Sequence, residues 1–135
     1  QMERVRAIVQ RKIDIGEAYI SHLKSEAAFI LPASYPNIKN TYWLFTILLN
    51  EANEMNRDTL IEKLKMNGIE TRPVFYPLHE MPPYQKYVRD QSFENATRVS
   101  RQGICLPSYL ELKDEEIALI CQVLKQQVNS NVLAK

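Results

Sequence analysis

The sequence predicts an α/β domain of the α+β kind, a small antiparallel or mixed sheet of about three strands covered by helices on one face. Three observations lead there. Helical and extended apolar periodicities interleave along the chain. Each extended stretch is short and bounded by Pro, Asn or Gly. A length of 135 residues with 45% hydrophobic content suffices for one compact core and not for two, so residues 1–135 are expected to form a single domain.

The elements follow in chain order. Residues 1–25 carry Val5, Ile8, Ile15 and Tyr19, flanked by Met2, Val9, Ile13, Ile20 and Leu23, at helical spacing. This is one wide apolar stripe. Gly16 in its middle costs about 1 kcal/mol relative to alanine, so the helix requires packing on something substantial, and a larger neighbouring domain would supply it. Residues 27–32 predict a brief strand, followed by a loop at Pro36, Asn37 and Asn40. Residues 41–49, Thr-Tyr-Trp-Leu-Phe-Thr-Ile-Leu-Leu, are aromatic and β-branched on both alternating faces, as in a central buried strand.

After a polar loop, Asn56 is placed to cap a helix over 57–66, with Leu60, Ile61 and Leu64 inward and Asn67-Gly68 closing it. Residues 69–75 return to β character. Pro73 has no amide hydrogen for a ladder and demands an edge or a bulge. Pro77, Pro82 and Pro83 argue against regular structure over 76–87, Ser92 is placed to cap a helix over 93–102 that stops at Gly103, and 104–107 is a last short extended piece. A final helix over 114–128 turns Ile117, Ile120, Cys121, Leu124 and Val128 inward, and residues 129–135 are expected to fray.

Charge and motifs exclude several functions. The formal charge of +1 is scattered along the chain, which gives no field for nucleic acid or an anionic membrane. The longest apolar runs, 27–32 and 43–49, fall far short of the roughly 20 residues a membrane span needs. Cys105 and Cys121 lie in no CxxC and at no metal-ligand spacing, so they read as reduced thiols in a cytoplasmic protein. No phosphate-cradling glycine loop, zinc-protease helix, nucleophile elbow or calcium loop is present. The chain opens on Gln1 directly into helical periodicity, without start methionine or signal peptide, as expected of an excerpt from something longer.

Two histidines invite attention. His22 lies on the first helix and reads as a solvated or capping side chain. His79 follows Arg72-Pro73-Val74-Phe75-Tyr76-Pro77-Leu78, where a strand runs into a stiff loop of aromatic and polar groups. Loops held by a rigid scaffold are where binding groups collect. Arg72 could equally be an ion-pair partner, and Tyr76, Tyr84 and Tyr87 could equally lid the core.

Tyr42-Trp43 in an apolar stretch, Arg57-Asp58 opening a helix, Gly68-Ile69-Glu70-Thr71-Arg72-Pro73, Tyr76-Pro77-Leu78-His79, Pro83-Tyr84, Phe93-Glu94-Asn95-Ala96 and Leu106-Pro107-Ser108-Tyr109 come in that order. Together they resemble the DegT/StrS-type nucleotide-sugar aminotransferases over nearly the whole chain. The opening Gln1-Met2-Glu3-Arg4-Val5 is similar to the interdomain helix of that family, here residues 1–25. The resemblance implies the small C-terminal domain of a fold type I enzyme whose larger N-terminal domain binds pyridoxal phosphate through a Schiff-base lysine. Such enzymes move an amino group, usually from glutamate, onto a nucleotide-linked keto-deoxysugar, and are usually homodimers.

By position match, Arg72, Tyr76 and His79 would contact the sugar nucleotide, and no catalytic, cofactor-binding or metal residue is expected in this chain. Its nine lysines, among them Lys39, Lys63 and Lys86, lack the glycine-rich stretch that follows the family's lysine. Taken alone the chain is therefore expected to bind no cofactor and catalyse nothing. Lys113 stands where the family often has a Ser or Thr helix cap, a role Asp114 could assume. Two other readings stay open: a family member that lost catalysis and regulates, and a free-standing α/β module binding a small ligand through 76–87.

Overall fold

A computed structural model describes residues 2–53, 55–89 and 91–129. A 3-10 turn over Met2–Arg4 leads into α1 (Val5–Leu23), followed by β1 (Phe29–Ile30), β2 (Phe45–Leu49) and α2 (Arg57–Met66). β3 (Arg72–Pro73) comes next, then a 3-10 turn over Leu78–Glu80, α3 (Pro82–Gln85), α4 (Glu94–Gln102), β4 (Gly103–Leu106) and α5 (Asp114–Asn129). The strands form one sheet in the order β1-β2-β4-β3, every pair antiparallel. The sheet thus has four strands where about three were expected, because the short piece at 104–107 pairs on both sides and becomes a central strand.

Register decides which residues make the core. Phe45 lies opposite Leu106 and Ile47 opposite Ile104, so one face of β2 and β4 is wholly apolar and buried. Against it pack α1, α2 and α5, with α5 between the other two. Their stripes deliver Ile15, Tyr19 and Leu23, then Leu60 and Leu64, then Ile117, Ile120 and Leu124. Tyr19 stacks on Phe45 with ring centroids 4.7 Å apart, and its hydroxyl donates to the Pro107 carbonyl at 2.9 Å. The phenol thus buries its ring without orphaning its oxygen.

Gly16 finds its surface within this chain. A Cβ there would lie 2.4 Å from Cδ2 of Tyr42, so the ring of Tyr42 occupies the space that glycine leaves open. Tyr42 itself has φ +45°, a left-handed conformation uncommon for a bulky residue, and its amide donates to Oδ1 of Asn40 at 2.9 Å. This turn delays the start of the expected strand: β2 begins at Phe45, and Trp43 stands 71% exposed. Gly103 is required for close approach rather than for φ, since a Cβ would meet the Val74 side chain at 2.3 Å and the Val99 carbonyl at 2.6 Å.

The helix ends separate local from long-range control. Asn56 caps α2 as expected, its Oδ1 accepting from the Thr59 amide at 2.8 Å, and Gly68 adopts φ +76° just beyond its end. Ser92 caps nothing: α4 begins at Glu94 with Phe93 in the cap position and no side-chain cap bond. At α5 the work falls to Glu116, not Asp114. The Lys113 amide donates to Glu116 Oε2 at 2.8 Å, the return half of a capping box, while Asp114 lies 3.5 Å from Arg11. Pro82 and Pro83 do not prevent a helix either, because they sit in the first turn of α3, where a missing amide hydrogen leaves no bond unmade.

Asn129 is the last residue of α5, and the expected fraying of 130–135 lies outside the described residues. Among the described residues no helix is long and apolar enough to cross a membrane, and no cluster of three metal-ligating side chains occurs.

Candidate functional site

The edge strand β3 sets out the first candidate. Arg72 pairs with Cys105 of β4, and Pro73, opposite Ile104, has the edge position its missing amide hydrogen requires. The Arg72 guanidinium is exposed to solvent and lies 3.5 Å from Glu70 Oε1. The chain then leaves the sheet after Val74, whose amide donates to the Gly103 carbonyl at 3.2 Å. Tyr76 follows, 75% exposed and with no hydrogen-bond partner among the described residues.

His79 differs from both. It belongs to the 3-10 turn over Leu78–Glu80 and is docked on α4: its ring stacks on Phe93 with centroids 4.7 Å apart, and Nε2 lies 3.1 Å from Thr97 Oγ1. Thr97 in turn donates to Glu80 Oε1 at 2.9 Å, and that carboxylate lies 3.7 Å from Nε2. No hydrogen bond or ion pair joins Arg72, Tyr76 and His79 to one another among the described residues. Arg72 meets only the exposed Glu70, Tyr76 presents its hydroxyl on the surface, and His79 is held in place. His22, by contrast, is exposed on α1.

A second polar constellation escaped the sequence reading. Arg11 and Lys12, neighbours on α1, both reach the loop between β4 and α5. Arg11 Nε donates to the Leu110 carbonyl at 3.3 Å and its Nη2 to that of Leu112. Lys12 Nζ donates to the Trp43 carbonyl at 3.1 Å, to the Ser108 carbonyl, and to Ser108 Oγ at 3.3 Å. Partial burial lowers the Lys12 pKa from its ordinary value. A helical pattern registers both residues as solvated face and cannot show carbonyls that arrive from 31 and about a hundred positions away.

A cavity of about 610 Å³ opens beside this loop, against β3, β4 and α5, with Thr71, Arg72, Cys105, Tyr109 and Glu116 among its lining. Thr71 Oγ1 is buried there without a partner. A pyridoxal phosphate group needs a lysine amine free to face it, yet no lysine lines this cavity and Lys12 has its three donors directed at three oxygens. These residues therefore do not fit the cofactor's point of attachment.

The arrangement of helices on one face of an antiparallel sheet is shared with proteins of known structure. It superposes on DesI, solved in the presence of its TDP-sugar product, with TM-score 0.84 and 21% identity, covering 98% of this chain and 34% of that one. It superposes equally on Helicobacter pylori PseC, an aminotransferase involved in the biosynthesis of pseudoaminic acid, with TM-score 0.84 and 18% identity over 96% of this chain and 35% of that one. Residues 1–125 match the DegT/DnrJ/EryC1/StrS aminotransferase family, and the chain belongs to that family.

Among its relatives are the GDP-perosamine synthases of Vibrio cholerae, 37% identical over 96% of this chain and 35% of the relative, and of Escherichia coli O157:H7, 34% identical over 93% and 33%. The chain therefore spans about a third of the length of these curated relatives.

Proposed function

We propose that this chain is the C-terminal, substrate-closing domain of a cytoplasmic pyridoxal-phosphate-dependent aminotransferase. The whole enzyme transfers an amino group, from glutamate, to a nucleotide-linked keto-deoxysugar in the manner of a perosamine synthase. The observation that carries this reading is the 37% identity to a GDP-perosamine synthase along 96% of the chain. The cofactor, when bound by the larger N-terminal domain, supplies the electron sink for the amino exchange. This chain's share is to bind and orient the sugar nucleotide and to exclude water, with Arg72, Tyr76 and His79 as the contacts.

The first helix supports a neighbouring domain over a free-standing module. Its second half is buried within the chain, whereas Met2 is 82% and Val5 40% exposed and Ile8 and Val9 are only half-buried. An apolar stripe left open in this way favours association with a further surface, here that of the N-terminal domain, in a homodimer of the full-length enzyme.

The test uses the full-length protein, glutamate, and GDP- or dTDP-linked keto-deoxysugars, with 2-oxoglutarate release as the readout. Amino transfer to at least one of the sugars is expected. His79→Ala should raise KM for the sugar nucleotide about tenfold and leave the cofactor's absorbance in place. No 2-oxoglutarate with any of these sugars would refute the activity, and unchanged kinetics for His79→Ala would remove His79 from the site.

A further inference from the structure

We propose that Thr97 is a positioning residue that keeps the proton of neutral His79 on Nε2, so that Nδ1 is a bare acceptor for a hydroxyl of the substrate's sugar. This inference rests on the reading that His79 faces the sugar nucleotide. It turns on a count of protons. Thr97 Oγ1 lies 2.9 Å from Glu80 Oε1 and 3.1 Å from His79 Nε2. A threonine hydroxyl has one proton to give, and an ionised carboxylate can only accept. The proton is therefore directed to Glu80, and towards His79 the oxygen offers a lone pair. Nε2 must then be the donor, and a neutral imidazole has only one N–H.

The rest of the network holds this arrangement still. Stacking on Phe93, with ring planes 24° apart, opposes rotation of the imidazole. Glu80 is fixed by its own turn, its amide donating to the Pro77 carbonyl at 3.0 Å and its carbonyl accepting from Gln85 Nε2 at 3.1 Å. Nδ1 has no partner among the described residues. It is the ring nitrogen left without a partner.

Its chemistry selects among the parts of a sugar nucleotide. Diphosphate oxygens only accept, and two facing acceptors repel. A sugar hydroxyl donates. A neutral imidazole so tied is suited to the sugar and not to the diphosphate. Thr97 never touches the substrate; it determines which hydrogen-bonding face of the ring the substrate meets.

The experiment compares wild-type full-length enzyme with Thr97→Val, Thr97→Ser and His79→Ala. Histidine nitrogen spectra of isotope-labelled protein should show wild-type His79 protonated on Nε2, a mixed tautomer in Thr97→Val, and the wild-type pattern restored in Thr97→Ser. KM for a GDP-linked keto-deoxysugar should rise about tenfold in Thr97→Val and recover in Thr97→Ser, while inhibition by GDP, which lacks that sugar, stays unchanged. A wild-type Nδ1–H tautomer, or equal weakening of GDP, overturns the inference. Unchanged KM in Thr97→Val beside an impaired His79→Ala also overturns it and leaves the proposed site standing. If His79→Ala is silent as well, the substrate-facing reading falls with it.

Discussion

The helix-covered face of the sheet and the segment 75–93 are both rich in large apolar residues, and they come to opposite ends. On the sheet, Phe45, Ile47, Ile104 and Leu106 are buried under α1, α2 and α5. In the segment, Phe75, Tyr76, Leu78, Tyr84 and Tyr87 all remain exposed. Composition does not separate the two regions; order does. The strands alternate with period two and the helices repeat near 3.6, so their apolar faces can meet. Pro77, Pro82 and Pro83 divide the segment into a 3-10 turn and the short α3, neither long enough to collect a stripe. Its fixed point is instead His79, which bonds to Thr97 and stacks on Phe93. Exposed apolar groups gathered in one region mark a surface for contact rather than a core.

The comparison is broken most forcefully at the sheet. Phe45→Ala deletes a fully buried ring that stacks on Tyr19, and a loss of about 3–5 kcal/mol of stability is expected. It would be seen as a lower urea midpoint with an unchanged m-value. A loss under about 1 kcal/mol would mean that the core closes over the gap without cost.

A smaller effect follows from pH. Burial among the apolar residues of α5 pushes the Cys121 thiol up from 9.0 to about 12, against the pull of Lys125. Between those values the unfolded thiol has lost its proton and the folded one keeps it. The unfolded state then binds fewer protons, so stability is intact below about pH 9 and falls above it, by up to about 1.4 kcal/mol per pH unit. Cys121→Ala should abolish this slope while leaving that of Tyr19, whose phenol is also raised by burial. Stability curves of wild type and variant that stay parallel from about pH 8 to about 11 would place the thiol in contact with water.

What the sequence disclosed divides along the same line. α2 was legible to its end residues because its cap, apolar spacing and closing Asn67-Gly68 are neighbours in the chain. The central place of β4 was not, since its partners β2 and β3 lie far before it and its four residues carry no alternation long enough to read. Gly16 was seen as a weakness needing an outside surface, yet its partner is Tyr42 of the same chain, turned inward by a left-handed backbone that no pattern announces. Of the candidate site, Arg72, Tyr76 and His79 were singled out by order and resemblance. What fixes His79 was invisible, because Thr97 stands 18 positions away and reads as an ordinary residue of an amphipathic helix.

The smallest stability effect is the sharpest test of the difference between the two regions. Tyr76 and Phe45 are both large aromatic residues, but Tyr76 is 75% exposed and has no hydrogen-bond partner among the described residues. Removing its ring forfeits little packing in the folded chain, so Tyr76→Ala should shift stability by no more than about 0.5 kcal/mol. If the loop meets a sugar nucleotide, the same variant in the full-length enzyme should raise KM severalfold with kcat less affected, as expected when binding common to ground and transition states is lost. A large stability loss would place Tyr76 in the core and dissolve the contrast. An unaffected KM with unchanged stability would leave the exposed ring without a part in substrate binding, and the surface of this segment would then have to be assigned to contact with another domain or subunit.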